Sequence, residues 1–143
     1  MIYRKLTVLD FDLIMNMEND LKENFTKLEK AKHFLEDDMN WVFACILKEK
    51  IIGFAYGYEL NRLDRNKNVL YIDEVSVLPE YQNRGIGTEI INGIKNKCKE
   101  NGINRMFLFT KKTNERVCKL YEKTNGKISS EQNDDRIYLF EIN

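Results

Sequence analysis

Apolar residues recur at helical spacing in some stretches of the chain and in short, nearly continuous runs in others, and the order of these two patterns predicts the architecture. Residues 2–8 read as a first strand. Asp10 stands where a helix cap is expected, with Leu13, Ile14, Met17 and Leu21 following at helical spacing. Thr26 and Glu29 have the separation of a capping box, after which Leu28, Ala31, Leu35 and Met39 mark one side of a second helix. Residues 41–47 and 51–60 are apolar runs joined by the polar Lys48, Glu49 and Lys50, which predicts a hairpin. A further strand covers 69–77 and stops at Leu78 and Pro79, since Pro cannot donate to a ladder. Beyond the loop 80–87, Ile90, Ile91, Ile94 and Cys98 form the buried stripe of a third helix that ends at Asn101 and Gly102. Residues 105–110 read as a strand and 113–123 as a fourth helix closed by Asn125 and Gly126; 127–130 and 137–142 form a last hairpin.

Two strand-to-helix units in the second half imply a parallel strand pair, so the fold class is α/β or α+β around a mixed sheet. The 143 residues suit one domain, and neither a linker nor a repeat divides them. Lys plus Arg and Asp plus Glu both number 23, which leaves no excess charge for a nucleic-acid backbone or an anionic membrane; neither is expected as a partner. Cys45, Cys98 and Cys118 are odd in number and widely spaced, fitting neither a disulfide framework nor a metal site. A reducing cytoplasm and no metal are the expectations. Charged Asp10 and Asp12 come before any apolar run long enough for a signal peptide or a membrane span.

The segment Gln82-Asn83-Arg84-Gly85-Ile86-Gly87-Thr88 lies between a strand and the first turn of a helix. Glycines there allow close approach of a ligand to the backbone, and free N–H groups at a helix start favour a pyrophosphate; Arg84 adds positive charge. Neither the Gly-Lys-Ser/Thr ending of a nucleotide P-loop nor the third glycine of a dinucleotide fingerprint is present. A different phosphate ligand is needed.

The run from Val75 to Gly87 resembles the strand and pyrophosphate loop of the GNAT acetyltransferases, whose signature is Gln/Arg-x-x-Gly-x-Gly/Ala. A second motif follows: Asn114, Val117, Leu120 and Tyr121 match the family's Asn-x-x-Ala-x-x-Leu-Tyr. Residues 43–91 are most similar to the gentamicin 3-N-acetyltransferase branch. One departure is Asn125, where the family has Gly; Asn also tolerates the left-handed cap, and Gly126 stands behind it.

The resemblance implies a six- to seven-stranded mixed sheet with a splayed central parallel pair and about four helices. It implies acetyl-CoA as cosubstrate and a primary amine of a small molecule, an aminoglycoside or polyamine among them, as acceptor. Acetyl-CoA would be held by Val75 and Val77 along its pantetheine arm, by Gln82, Asn83, Arg84, Gly85, Ile86, Gly87 and Thr88 at the pyrophosphate, and by Asn114 and Tyr121. The Val77 N–H would meet the acetyl carbonyl. Glu74 is the candidate base, with Asp73 its rival beside the substrate; strand alternation predicts that the two point to opposite faces. Tyr121 is the candidate acid for the departing thiolate, whose ordinary pKa of about 8.5 asks only for partial proton donation. His33, the only histidine, falls among Lys30, Lys32 and Glu36 of the second helix and reads as a solvated side chain, and Cys118 as a small buried hydrophobe. The acids Glu36, Asp37 and Asp38, with Glu131, Asp134 and Asp135, would rim the acceptor cleft and attract a cation. Acetylation of a protein N-terminus or lysine, and a non-catalytic acyl-CoA module, are the alternatives. Since related enzymes often pair through strand or helix edges, a homodimer is also among the expectations.

Overall fold

The computed structural model describes residues 1–18, 21 and 28–143. The elements run β1 (Ile2–Lys5), α1 (Phe11–Met15), α2 (Leu28–Glu36), β2 (Asn40–Leu47), β3 (Lys50–Leu60), β4 (Val69–Val77), α3 (Ile86–Glu100), β5 (Arg105–Lys111), α4 (Glu115–Lys123), β6 (Lys127–Gln132) and β7 (Asp135–Glu141). The strands form one sheet in the order β1-β2-β3-β4-β5-β7-β6, antiparallel throughout except for the central pair β4 and β5.

That parallel pair is short. It holds only from Leu70 beside Met106 to Ile72 beside Leu108, although β4 continues to Val77 and β5 to Lys111. Past Ile72 the two strands diverge, and the gap between them is the feature that positions the site. The Leu78 N–H donates to the Ile52 carbonyl on the β3 side at 2.9 Å, so strand alternation turns the Val77 N–H toward this gap.

Helices α3 and α4 pack on one face of the sheet. Ile86, Ile90, Ile91, Ile94 and Cys98 give α3 a buried stripe, and burial of each such side chain contributes roughly 1.5–3 kcal/mol. The Phe43 ring fills the space at Gly93 on that helix, where a Cβ would lie 2.5 Å from the ring. On α4, Tyr121 meets the rings of Tyr138 and Phe140 edge-on. The opposite face carries α1 and α2 over its β2 and β3 end, where Phe34 sets its ring edge against Tyr56 and Tyr58.

The first turn departs from the sequence expectation. The strand ends at Lys5, and Thr7 caps a short 3-10 turn before α1. Asp10 makes no cap bond to α1; its carboxylate instead accepts from the Thr7 N–H and from both terminal nitrogens of Arg4 at 2.8 Å. The Thr26 capping-box expectation lies outside the described residues. Asn125 adopts φ 75°, and a Cβ on Gly126 would lie 2.8 Å from the Tyr121 carbonyl, so the pair divides the turn and the tight packing between them.

Candidate active site

A cavity of about 400 Å³ opens where β4 ends and α3 begins, within the size range of small-ligand sites. Pro79 starts a 3-10 turn that swings the chain away from the sheet, Asn83 takes φ 62°, and Gly85 takes φ 84° as the N-cap of α3. Among the described residues, nothing beyond its own chain neighbours lies within 4 Å of where a Gly85 Cβ would stand. At Gly87, by contrast, a Cβ would meet Leu120 of α4 at 3.1 Å, so this glycine sets the approach of two helices. The first intrahelical bond runs from Glu89 N–H to Gly85, which leaves the amides of the first turn as donors at the positive end of the helix dipole.

Val75, Val77, Gln82, Asn83, Gly85, Ile86, Gly87, Thr88 and Tyr121 all line this cavity. The Gln82 side chain is committed to the protein: its amide nitrogen donates to the Val77 carbonyl at 2.9 Å, and its oxygen accepts from Arg116. Only its backbone is left for a ligand. Arg84 stacks over the Tyr81 ring at 5.5 Å and stands outside the lining. Asn114 caps α4 by accepting from the Val117 N–H, and it too lies outside.

Tyr121 is 5% exposed, and its hydroxyl has no hydrogen-bond partner among the described residues. Burial, reinforced by the neighbouring Cys118, holds the phenol above its ordinary pKa. It therefore keeps its proton across the working range and can donate a hydrogen bond to an anion in the cavity. Arg116, Lys119 and Lys123, which the sequence reading did not single out, also line the cavity from α4. Their signal was their helical spacing on the Tyr121 helix, which turns basic residues toward one side. Backbone amides, an open glycine and three cations make the cavity suited to a phosphorylated ligand with a narrow apolar arm.

Across the sheet the two acids depart from expectation. Tyr56 pairs with Glu74 but Gly57 pairs with Ile72, so Asp73 is an extra residue on β4. Such a bulge interrupts alternation. Asp73 accepts from the Tyr58 hydroxyl at 3.3 Å, while Glu74, opposite Tyr56, accepts from the Ser76 hydroxyl at 2.8 Å. The Tyr56 phenol is pushed up to about 12, first by burial and then by the charges of both Asp73 and Glu74. Both acids thus stand on the face away from α3, not on opposite faces. Gly57 permits this: a Cβ there would lie 2.0 Å from the Tyr71 carbonyl oxygen. The bulge begins one residue after the parallel ladder ends, so the acids border the gap whose other side opens on the cavity.

Two of the six acids of the expected rim, Glu131 and Asp135, are paired with Lys or Arg side chains. Glu131 pairs with Lys112 and Arg136, Asp135 with Lys111, and Glu36 with His33, whose side chain is exposed. Cys118 is buried, with its thiol directed at the Lys111 carbonyl. Among the described residues there is no cluster of three or more metal-ligating side chains, and no helix is long and apolar enough to cross a membrane.

Residues 8–126 match the model of the acetyltransferase (GNAT) family. An aminoglycoside acetyltransferase from an uncultured soil metagenomic sample, solved with trehalose and also with sisomicin, has a similar structure. In the trehalose complex it superposes with a TM-score of 0.79 at 23% identity, covering 92% of this chain and 90% of the other. An acetyltransferase of GNAT family from Streptococcus pneumoniae gives 0.83 at 17% identity over 99% of both chains. Arabidopsis thaliana NAA60, solved with acetyl-CoA, gives 0.75 at 15% identity over 99% of this chain and 98% of its own. At these identities the likeness is one of fold.

Proposed function

The chain belongs to the acetyltransferase (GNAT) family, and from that premise we propose that it transfers acetyl from acetyl-CoA to a primary amine of a small molecule by direct attack with both substrates bound. The observation that carries the reading is the convergence on one strand. The cavity with Tyr121 lies to one side of the β4 gap, and the acids Asp73 and Glu74 lie to the other.

Acetyl-CoA supplies an activated acyl carbon, so a C–N bond forms as the C–S bond breaks. The first-turn amides of α3 hold the pyrophosphate, and Arg116, Lys119 and Lys123 add positive charge beside it. Val75 and Val77 flank the pantetheine arm, and the Val77 N–H donates to the reacting carbonyl as charge develops on its oxygen. Glu74 takes the ammonium proton, directly or through water, and releases a free amine as nucleophile. Tyr121 donates its proton to the departing sulfur, and the second proton that the acylated nitrogen sheds as the amide forms restores the phenol. Arg84 turns from Tyr81 toward the phosphates, and Asn114 keeps the start of α4 in place. An aminoglycoside or polyamine is compatible with a cation held by two carboxylates. The three cysteines are buried and unbridged, which supports a reducing cytoplasm as the site of action.

The test is release of free thiol from acetyl-CoA across a panel of amines, paired with thermal unfolding. Acetyl-CoA should raise the melting temperature well above any effect of NAD or ATP, because a ligand that binds only the folded state stabilises it by mass action. Equal shifts from all three ligands, or no thiol release with any amine, would sink the reading.

A further inference from the structure

Resting on the acetyl-transfer reading above, in which the acceptor meets the β4 gap from the face that carries Asp73 and Glu74, we infer that this face selects a primary amine carried on a flat aromatic or hydrocarbon body over a polyhydroxylated one. Strand register places Tyr56 and Tyr58 of β3, Tyr71 of β4, and Phe107 and Phe109 of β5 on this face. Their rings form a continuous series. Tyr56 contacts Tyr58 at 6.4 Å between centroids, Tyr58 contacts Tyr71 at 6.1 Å, and Tyr71 stacks on Phe107 at 5.1 Å with planes 15° apart. Phe109 stands edge-on to Tyr71 at 5.7 Å and is 51% exposed, so the series is open to solvent at its far end. Tyr58, Tyr71 and Phe107 are half-buried beside the exposed Phe109, and a contiguous aromatic patch that partly reaches solvent marks a binding surface.

Charge identifies the occupant. The bulge brings Asp73 and Glu74 onto this same face; both are exposed, and neither forms an ion pair with a described residue. Glu131 and Asp135 of the β6–β7 hairpin, by contrast, are matched by Lys111, Lys112 and Arg136. Two unpaired carboxylates thus stand together beside aromatic rings, whose faces also attract an ammonium. The Tyr58 hydroxyl fixes one carboxylate by its bond to Asp73, and Asp73 in turn helps raise the Tyr58 phenol, after burial. Among the described residues the polar groups beside the rings are the two carboxylates, the phenols and Ser76, fewer than the many placed donors and acceptors that a polyol needs. The ammonium sits at Asp73 and Glu74 beside the gap, and the apolar body lies on Tyr71, Phe107 and Phe109.

The experiment compares phenethylamine, spermidine and kanamycin as acceptors at saturating acetyl-CoA, in wild type, Tyr71→Ala and Tyr58→Phe. The expected result is a kcat/KM for phenethylamine at least about tenfold above the other two, with KM for phenethylamine raised about three- to tenfold in Tyr71→Ala. Tyr58→Phe keeps the ring and loses only the bond to Asp73, so KM should rise less; the thermal shift with acetyl-CoA should match wild type in both variants. Preference for kanamycin or spermidine, unaffected by Tyr71→Ala, would overturn the inference and leave acetyl transfer standing. Equilibrium sedimentation of wild type and Phe109→Asp adds a second check: a dimer lost in the variant would assign the face to a second copy of the chain and overturn the inference. Binding of acetyl-CoA without turnover of any amine would instead remove the acetyl-transfer reading on which the inference rests.

Discussion

At Gly85 the backbone holds φ at 84° and the space beyond its α-carbon is open, so one residue meets both a conformational and a steric demand of the phosphate loop. Leucine there adds backbone strain of roughly 1–3 kcal/mol and fills the ligand's approach, so the Kd for acetyl-CoA should rise by about tenfold or more in a calorimetric titration. An unchanged Kd would show that the loop does not face the pyrophosphate. This glycine was legible in the sequence because its neighbours carry the signal. Gln82 was less so: its side chain is held by Arg116, distant in the chain, and no local pattern marks that bond. Nor could alternation assign Asp73 and Glu74, because the residue that permits their common orientation, Gly57, lies on the partner strand.

At the scale of elements, β4 is shaped by what pairs with it on either side. Its parallel ladder with β5 stops at Ile72, and its antiparallel ladder with β3 slips by one residue immediately after. Gly57→Ala tests that slip. A methyl group 2.0 Å from the Tyr71 carbonyl forces the strands apart, and the variant should lose about 3 kcal/mol or more in urea unfolding. Stability equal to wild type would mean that the bulge accommodates a side chain. The extent of β4 could be read from its apolar run and the following proline, but the bulge could not, since it is a property of the pair of strands. The fourth helix was similarly half legible. Tyr121 and Asn114 stand out as a motif, whereas the placement of Arg116, Lys119 and Lys123 at the cavity requires the turn of the helix against α3.

For the whole molecule, the order of strands and helices followed from periodicity, because the inner strands β2 and β3 are continuous buried runs and α3 buries a single stripe. The first turn did not, because Asp10 serves Arg4 and Thr7 in place of α1. That contact also carries a pH dependence: the hydrogen bonds from Arg4 hold the Asp10 carboxyl below its ordinary pKa, so its stabilisation is present above about pH 4 and is lost as pH falls through the lowered value. Asp10→Asn should accordingly be less stable than wild type by roughly 1 kcal/mol near pH 7, a gap that closes toward pH 2; a constant gap would place the effect elsewhere. The central claim is that Glu74 and Tyr121 act from opposite sides of the β4 gap on one reacting carbonyl. Its most direct test is turnover against pH, at saturating acetyl-CoA, for wild type, Glu74→Gln and Tyr121→Phe with one amine acceptor. Glu74→Gln should be slower by about 10²- to 10⁴-fold near neutrality and recover as pH rises toward the amine's own pKa, while Tyr121→Phe stays slow throughout because higher pH supplies no proton donor. A Glu74→Gln enzyme as fast as wild type at every pH would contradict the claim.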